Sequence, residues 1–216
     1  MTITYFSPAE LDELCRPIEQ ALAGRDRLIV AIAGAPGSGK STLSHMLADH
    51  LSEPTNDAKR AIVVPMDGFH FDDIVLREQG TIERKGAPYT FDTGGLRACL
   101  ERLRENREPE IAVPVFDRDI EIARAGARLI PQTCKIVLVE GNYLLLDEPP
   151  WHDLQQIYDV TFMIRVPFDT LEARLVKRWI DKGLSRPAAT NRARDNDLVN
   201  ARRVIEASGH ADIVVG

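Results

Sequence analysis

Apolar residues recur every three or four positions near the start of the chain. Leu11, Leu14, Cys15, Ile18 and Leu22 share one face, the pattern of an amphipathic helix. Ser7, Pro8 and Glu10 ahead of them read as a capping box with proline at the first helical position, and Gly24 closes the segment. The pattern then changes to short continuous apolar runs: LIVAIA from Leu28, AIVVPM from Ala61, KIVLVEG from Lys135, DVTFMIRV from Asp159 and ADIVV from Ala211. Such runs, alternating with amphipathic stretches, predict buried parallel strands covered by helices on both faces. The helices expected are Lys40 to Leu51, Gly95 to Asn106, Asp169 to Asp181 and Asp195 to Ala207.

Two stretches break this alternation. Asp67 to Gly94 has mixed polarity, with a short helix expected over 72–78, capping residues at Asp72 and Asp73, and turn residues at Gly80, Gly86 and Pro88. IAVPVFDRDIEIARAGARLIPQT, from Ile111, reads as extended segments with a turn near Gly126. No repeat or low-complexity linker interrupts the chain. The organisation expected is one α/β domain over 1–216 with an insertion over 67–131.

Composition bounds this picture. The 216 residues are 44% hydrophobic, enough to bury a sizeable core. A net charge of −6 argues against a nucleic-acid binder, which carries a clustered basic excess. Cys15, Cys99 and Cys134 are odd in number and sit in apolar patterns, so neither a disulfide framework nor a metal cluster is expected. MTITYFSPAE lacks the charged and apolar regions of an export signal, and no apolar run approaches the ~20 residues of a membrane span. A cytoplasmic protein without membrane insertion is expected.

Gly34, Ala35, Pro36, Gly37, Ser38, Gly39, Lys40, Ser41 and Thr42 stand between a strand and a helix. They satisfy G-x-x-x-x-G-K-[ST] in the context that motif requires. Glycines let successive backbone N–H groups curl around an anion, the helix N-terminus adds its positive end, Lys40 reaches the outer phosphates, and Ser41 holds magnesium. A glycine turn with an exposed lysine is the plain alternative. Asp67 falls at the carboxyl end of the second strand, where α/β sheets present ligands. It is either a general base for an attacking hydroxyl or a turn former ahead of Gly68. Glu140 ends KIVLVEG, where proteins with this loop place a magnesium-holding acid; its alternative is a solvated turn residue. Eight of the 21 arginines lie between Arg165 and Arg203. Arg174 and Arg178 are spaced i, i+4 ahead of a polar stretch, which reads as a phosphate-clamping lid over 178–195 or as a solvated charged face. His70 adjoins the expected cleft. Trp151 and Trp179 read as packing residues, and the five histidines show no zinc spacing. Neither the N-K-x-D segment of guanine readers nor the L-S-G-G-Q of transporter ATPases occurs.

The ordered segments GAPGSGKS, MDGFH, RKGAPYTFD, VPVFDRDIE, VEGNYLLL, RLVKRWIDKG and NDLVNARRV resemble the P-loop kinases of the uridine kinase, pantothenate kinase and phosphoribulokinase group. Within it the chain is most similar to fructose transport-system kinases. The resemblance runs from about Arg27 onward. It implies a three-layer α/β/α P-loop fold with a five-stranded parallel sheet of order 2-3-1-4-5. It implies magnesium and ATP as cofactors, and transfer to an alcohol of a small metabolite. Lys40 and Ser41 match the P-loop pair, Asp67 the catalytic base, Glu140 the strand-end acid, and Arg174 and Arg178 the lid arginines. KGAPYTFD resembles a pantothenate-kinase stretch, which makes Lys85, Tyr89 and Asp92 acceptor-side candidates. Asp117 and Arg118 match the Tyr-Asp segment of uridine kinases, where Phe116 stands in place of Tyr and removes a hydroxyl. The insertion at 67–131 thus becomes the acceptor side. The chain ends after the last expected strand, without the longer C-terminal portion of bacterial pantothenate kinases, so a sugar is expected ahead of pantothenate. A homodimer is compatible with the sequence.

Two functions follow from different classes. A small-molecule kinase predicts ATP consumption that rises with the right alcohol and collapses in Asp67→Asn. A nucleotide-dependent switch predicts slow hydrolysis indifferent to small alcohols.

Overall fold

The computed structural model describes residues 7–53 and 59–216. Five strands, β1 (Leu28–Gly34), β2 (Ala61–Pro65), β5 (Ile136–Gly141), β6 (Val160–Ile164) and β7 (Ile213–Val215), form one parallel sheet in the order β2-β5-β1-β6-β7. Counting these core strands in sequence order gives 2-3-1-4-5, the expected arrangement. Side chains alternate across the sheet. Leu28, Val30 and Ile32 pack with Ile18 of α1 (Pro8–Leu22) and with Leu43, Leu47 and Leu51 of α2 (Lys40–Ser52). Ile29, Ala31 and Ala33 face the opposite core, with Leu100 of α4 (Thr93–Glu105), Leu175 of α5 (Phe168–Asp181) and Val204 of α7 (Leu198–Ala207). β1 and β5 are buried on both faces, which is why their sequences read as continuous apolar runs.

α1 begins with the expected capping box, Ser7 accepting from the Glu10 backbone and Glu10 from that of Ser7. The part of the N-terminal stretch over 1–6 lies outside the described residues. α3 (Asp73–Glu78) is capped by Asp72, whose carboxylate accepts from the Ile74 N–H. Among the described residues no helix is long and apolar enough to cross a membrane.

The insertion contains a hairpin of β3 (Glu110–Asp117) and β4 (Ile122–Pro131). Its turn lies at 118–121, where Glu121 adopts φ 55°, rather than at Gly126. Gly126, at φ 63°, sits in β4 opposite a register shift between Val113 and Val115. A glycine in extended sequence marks a bulge as readily as a turn, and the Asp117 carboxylate supplies the turn by accepting from the Asp119 N–H.

The polar stretch after α5, read above as a lid, is helical over most of its length. It folds into α6 (Arg186–Arg192), one π-helical turn over Ala193–Asp197, and α7. The final helix therefore starts at Leu198 rather than Asp195.

Candidate active site

The loop between β1 and α2 wraps into a compact cradle. Gly37 and Gly39 take φ of +80° and +96°, and Gly39 forms the N-cap of α2, so the first N–H groups of the helix point toward the loop's concave side. Ser38 is buried and its hydroxyl has no partner, although it lines the adjoining cavity. A buried unpaired hydroxyl in a nest of backbone donors, beside Lys40, fits the oxygens of a phosphate chain. Arg174 of α5 donates to the Gly37 and Ser38 carbonyls at 3.2 and 3.3 Å. It braces the outer side of the loop while lining the same cavity.

Asp67 emerges from β2 in a 3-10 turn, Met66–Phe69. Gly68 permits that seat, because a Cβ there would stand 2.4 Å from the Pro114 carbonyl of the hairpin. Arg118, from the hairpin turn, bonds Asp67 Oδ2 at 2.5 Å. Burial opposes the charge on Asp67, but His70, Arg118 and Lys40 outweigh it and hold its carboxyl below the ordinary value. Glu140 ends β5 alongside Ile32 and Pro65. Burial raises its pKa against the pull of Lys40 and of a hydrogen bond from Ser41. A carboxylate bonded to the loop serine fits a divalent cation at this end of the P-loop.

A cavity of about 880 Å³ joins these groups. At one end lie the P-loop and Arg165, Val166, Pro167 and Thr170; at the other lie His70, Lys85, Phe116 and Arg118. His70 packs between Phe91 and Phe116, with centroids at 4.0 and 4.9 Å. Burial keeps the imidazole below its ordinary pKa despite Asp67 nearby. Lys85 is held by Asp73 and the Glu121 carbonyl at 2.6 and 2.7 Å, with its ammonium 5.3 Å from the Phe116 ring.

The structure gathers Lys40, Ser41, Asp67, His70, Lys85, Arg118, Arg174 and Arg178 around this cavity, with Glu140 directly behind Ser41. Tyr89, Asp92 and Asp117 stand outside its lining. Tyr89 is exposed. Asp92 caps α4 by accepting from the Gly95 N–H, and Asp117 pairs with Arg124 along the hairpin. Gly34 and Ala35 are buried beneath the loop.

Sequence patterning missed two features. Trp151 is core, as expected, with its indole N–H on the Pro88 carbonyl. Trp179 instead lines the cavity, ringed by Arg178, Lys182 and Arg192 at 5.2–5.4 Å from its centroid. Asp197, in the π-helical turn, accepts from both Trp179 Nε1 (2.5 Å) and Arg178 (3.0 Å). The cluster of basic residues around a tryptophan was the available signal.

The sequence profile of the phosphoribulokinase / uridine kinase family matches residues 29–194. The crystal structure of a candidate fructose transport system kinase from Silicibacter sp. TM1040 matches with a TM-score of 0.90 at 46% identity, covering 95% of this chain and 98% of that one. A candidate uridine kinase of Schizosaccharomyces pombe is 31% identical over 215 residues, 94% of this chain and 89% of its own. An uncharacterized protein of Escherichia coli, YggC, is 32% identical over 212 residues, 95% and 87% of the respective chains.

Proposed function

Since the chain belongs to the phosphoribulokinase / uridine kinase family, we propose that it transfers the γ-phosphoryl group of magnesium-bound ATP to a hydroxyl of a small metabolite, a sugar such as fructose before others. The observation that carries this reading is the position of Asp67. It is a carboxylate at a strand end, held ionised, on the same cavity as the P-loop lysine. Similarity to a candidate fructose transport system kinase supports the sugar. Similarity to a candidate uridine kinase makes uridine the second acceptor to test.

When bound, magnesium-ATP supplies the phosphoryl group; the residues of this chain hold, orient and move a proton. The loop amides, the Ser38 hydroxyl and Lys40 hold the phosphates. Ser41 and Glu140 hold the cation. Arg118 engages Asp67 Oδ2, so the acceptor hydroxyl would give its proton to Oδ1 as its oxygen bonds to the γ-phosphorus and the bond from that phosphorus to ADP breaks, ADP leaving. A carboxylate with a depressed pKa is a weak base, so it contributes mainly by orienting the hydroxyl, with charge neutralisation by Lys40 and Arg178 supplying most of the rate. Closure of the segment 178–195 over the cavity excludes water.

The test is ADP release with magnesium-ATP against fructose, other sugars, uridine and pantothenate, with the phosphorylated product identified. One acceptor raising turnover well above the rate with water supports the kinase. Equal slow hydrolysis with every acceptor supports the switch instead.

A further inference from the structure

Among the described residues six buried side-chain oxygens have no hydrogen-bond partner, and three of them, Ser38 Oγ, Asn142 Oδ1 and Asn196 Oδ1, belong to residues lining the cavity described above. Native interiors rarely leave such atoms without a partner in protein, water or ligand. Ser38 lies in the P-loop, where phosphate oxygens account for it. Asn196 lies against Lys85, to whose carbonyl it donates, and nothing in the reaction described above uses its oxygen.

We propose that Asn196 is an acceptor-binding residue whose side-chain carbonyl oxygen takes a hydrogen bond from a hydroxyl of a polyhydroxylated acceptor. The inference rests on the kinase reading and narrows its substrate. Asn196 is 4% exposed. Its Nδ2 donates to the Lys85 carbonyl at 2.9 Å, which fixes the amide. The flipped orientation would set two acceptors face to face. The oxygen therefore remains an acceptor, committed to a donor from elsewhere.

The surroundings are built to hold it there. Asn196 belongs to the π-helical turn Ala193–Asp197, a backbone form concentrated at functional sites. The turn is tied to the insertion by Arg84 donating to the Asp195 carbonyl at 2.7 Å. One turn later, Asn200 donates to the Gly86 carbonyl at 3.3 Å. Lys85 and Gly86, the residues so anchored, themselves line the acceptor end. Asp197, next in sequence, already accepts from Arg178 and Trp179, so it competes for donors and supplies none. A carboxylate or phosphate oxygen placed against Asn196 Oδ1 would meet an acceptor. A hydroxyl donates to it.

The test is Asn196→Leu, which keeps the volume and removes both the oxygen and the donor to the Lys85 carbonyl, so the comparison with deoxy analogues is what isolates the oxygen. It is assayed with fructose, uridine and single-deoxy analogues of each, as substrates and as inhibitors. The expected result is an acceptor KM raised about 10- to 100-fold while the KM for ATP stays within about twofold. One deoxy analogue should bind worse than its parent to the wild type but equally to the variant. Unchanged acceptor KM, or joint loss of acceptor and ATP binding with a fall in melting temperature, overturns the proposal. Should the variant not fold, the wild type alone decides. One deoxy position costing tenfold or more supports the subsite, and uniform binding of all deoxy analogues overturns it.

The two readings fail separately. Asp67→Asn abolishing turnover while Asn196→Leu leaves acceptor KM intact removes the subsite and keeps the kinase. Absence of acceptor-stimulated ADP release removes the kinase; the subsite then stands if fructose or uridine raises the melting temperature of the wild type and not of Asn196→Leu, and falls if neither does.

Discussion

At the scale of single residues, the site is a contest between burial and neighbouring charge. Asp67 and Glu140 are both strand-end carboxylates near Lys40, yet the first is held down by His70, Arg118 and Lys40 while burial prevails at the second. Lys40→Ala removes the point charge at the phosphates, so it is expected to weaken nucleotide binding by tenfold or more, about 1.4 kcal/mol, as read by calorimetry. It does so under a kinase or a switch alike. The cysteines give a prediction with a definite sign. Burial pushes the Cys15 thiol up to about 12, with Glu19 and Asp12 adding to it, and the Cys99 thiol up to about 11, and Cys134 is buried as well. A raised thiol pKa keeps the unreactive protonated form through neutral pH. Native protein at pH 8 should therefore leave a thiol reagent unconsumed, and all three cysteines should react after unfolding in guanidinium. A fast equivalent from native protein would contradict this.

At the scale of elements, Arg27 joins pieces that periodicity never links. Its guanidinium is buried and donates to the carbonyls of Cys134, Leu103 and Pro131 at 2.8, 3.0 and 2.7 Å. It thereby ties the start of β1 to the end of α4 and to the turn before β5. Arg27→Met takes the guanidinium donor from the Cys134 and Leu103 carbonyls and leaves Pro131 only the Cys134 N–H, and a loss of about 2–4 kcal/mol is expected. The loss should appear as a lower denaturation midpoint at unchanged slope. A change under 0.5 kcal/mol would contradict the role. The strands and their covering helices were legible because a two-sided buried strand writes a continuous apolar run, and an amphipathic helix a stripe. The hairpin turn was not, because Gly126 signals a bulge and a turn alike and Asp117 makes the turn through its side chain. The α6 and π-helical segment was not legible either. Ala189 and Ala193 are its fully buried apolar residues, too small a stripe to stand out among arginines.

At the scale of the whole molecule, the candidate site residues come from stretches far apart in sequence: the loop after β1, the end of β2, the end of β5, the hairpin, α5 and the π-helical turn. Motif order made the P-loop, Asp67 and Glu140 readable. It could not separate residues that line the cavity from those that hold its surrounding elements, as Asp92 does by capping α4 and Asp117 by pairing along the hairpin. The Lys182–Glu121 ion pair at 2.6 Å connects the end of α5 to the hairpin turn that carries Arg118. Both partners are substantially exposed, so Glu121→Gln should change stability by less than about 1 kcal/mol. It should raise the acceptor KM by loosening the hairpin against α5, and leave the KM for ATP unchanged. A parallel rise in both constants would show the pair to act on the nucleotide side instead. Hydrogen exchange should slow across 178–197 when magnesium-ATP and acceptor bind together.

Asp67 is the group proposed to orient the acceptor hydroxyl and receive its proton. The decisive measurement is the turnover number of Asp67→Asn with the identified acceptor, beside its affinity for magnesium-ATP. A fall of about 10²- to 10⁴-fold in kcat, with nucleotide affinity within a few-fold of wild type, is expected. Turnover equal to wild type would contradict the assignment and with it the kinase mechanism built on this residue.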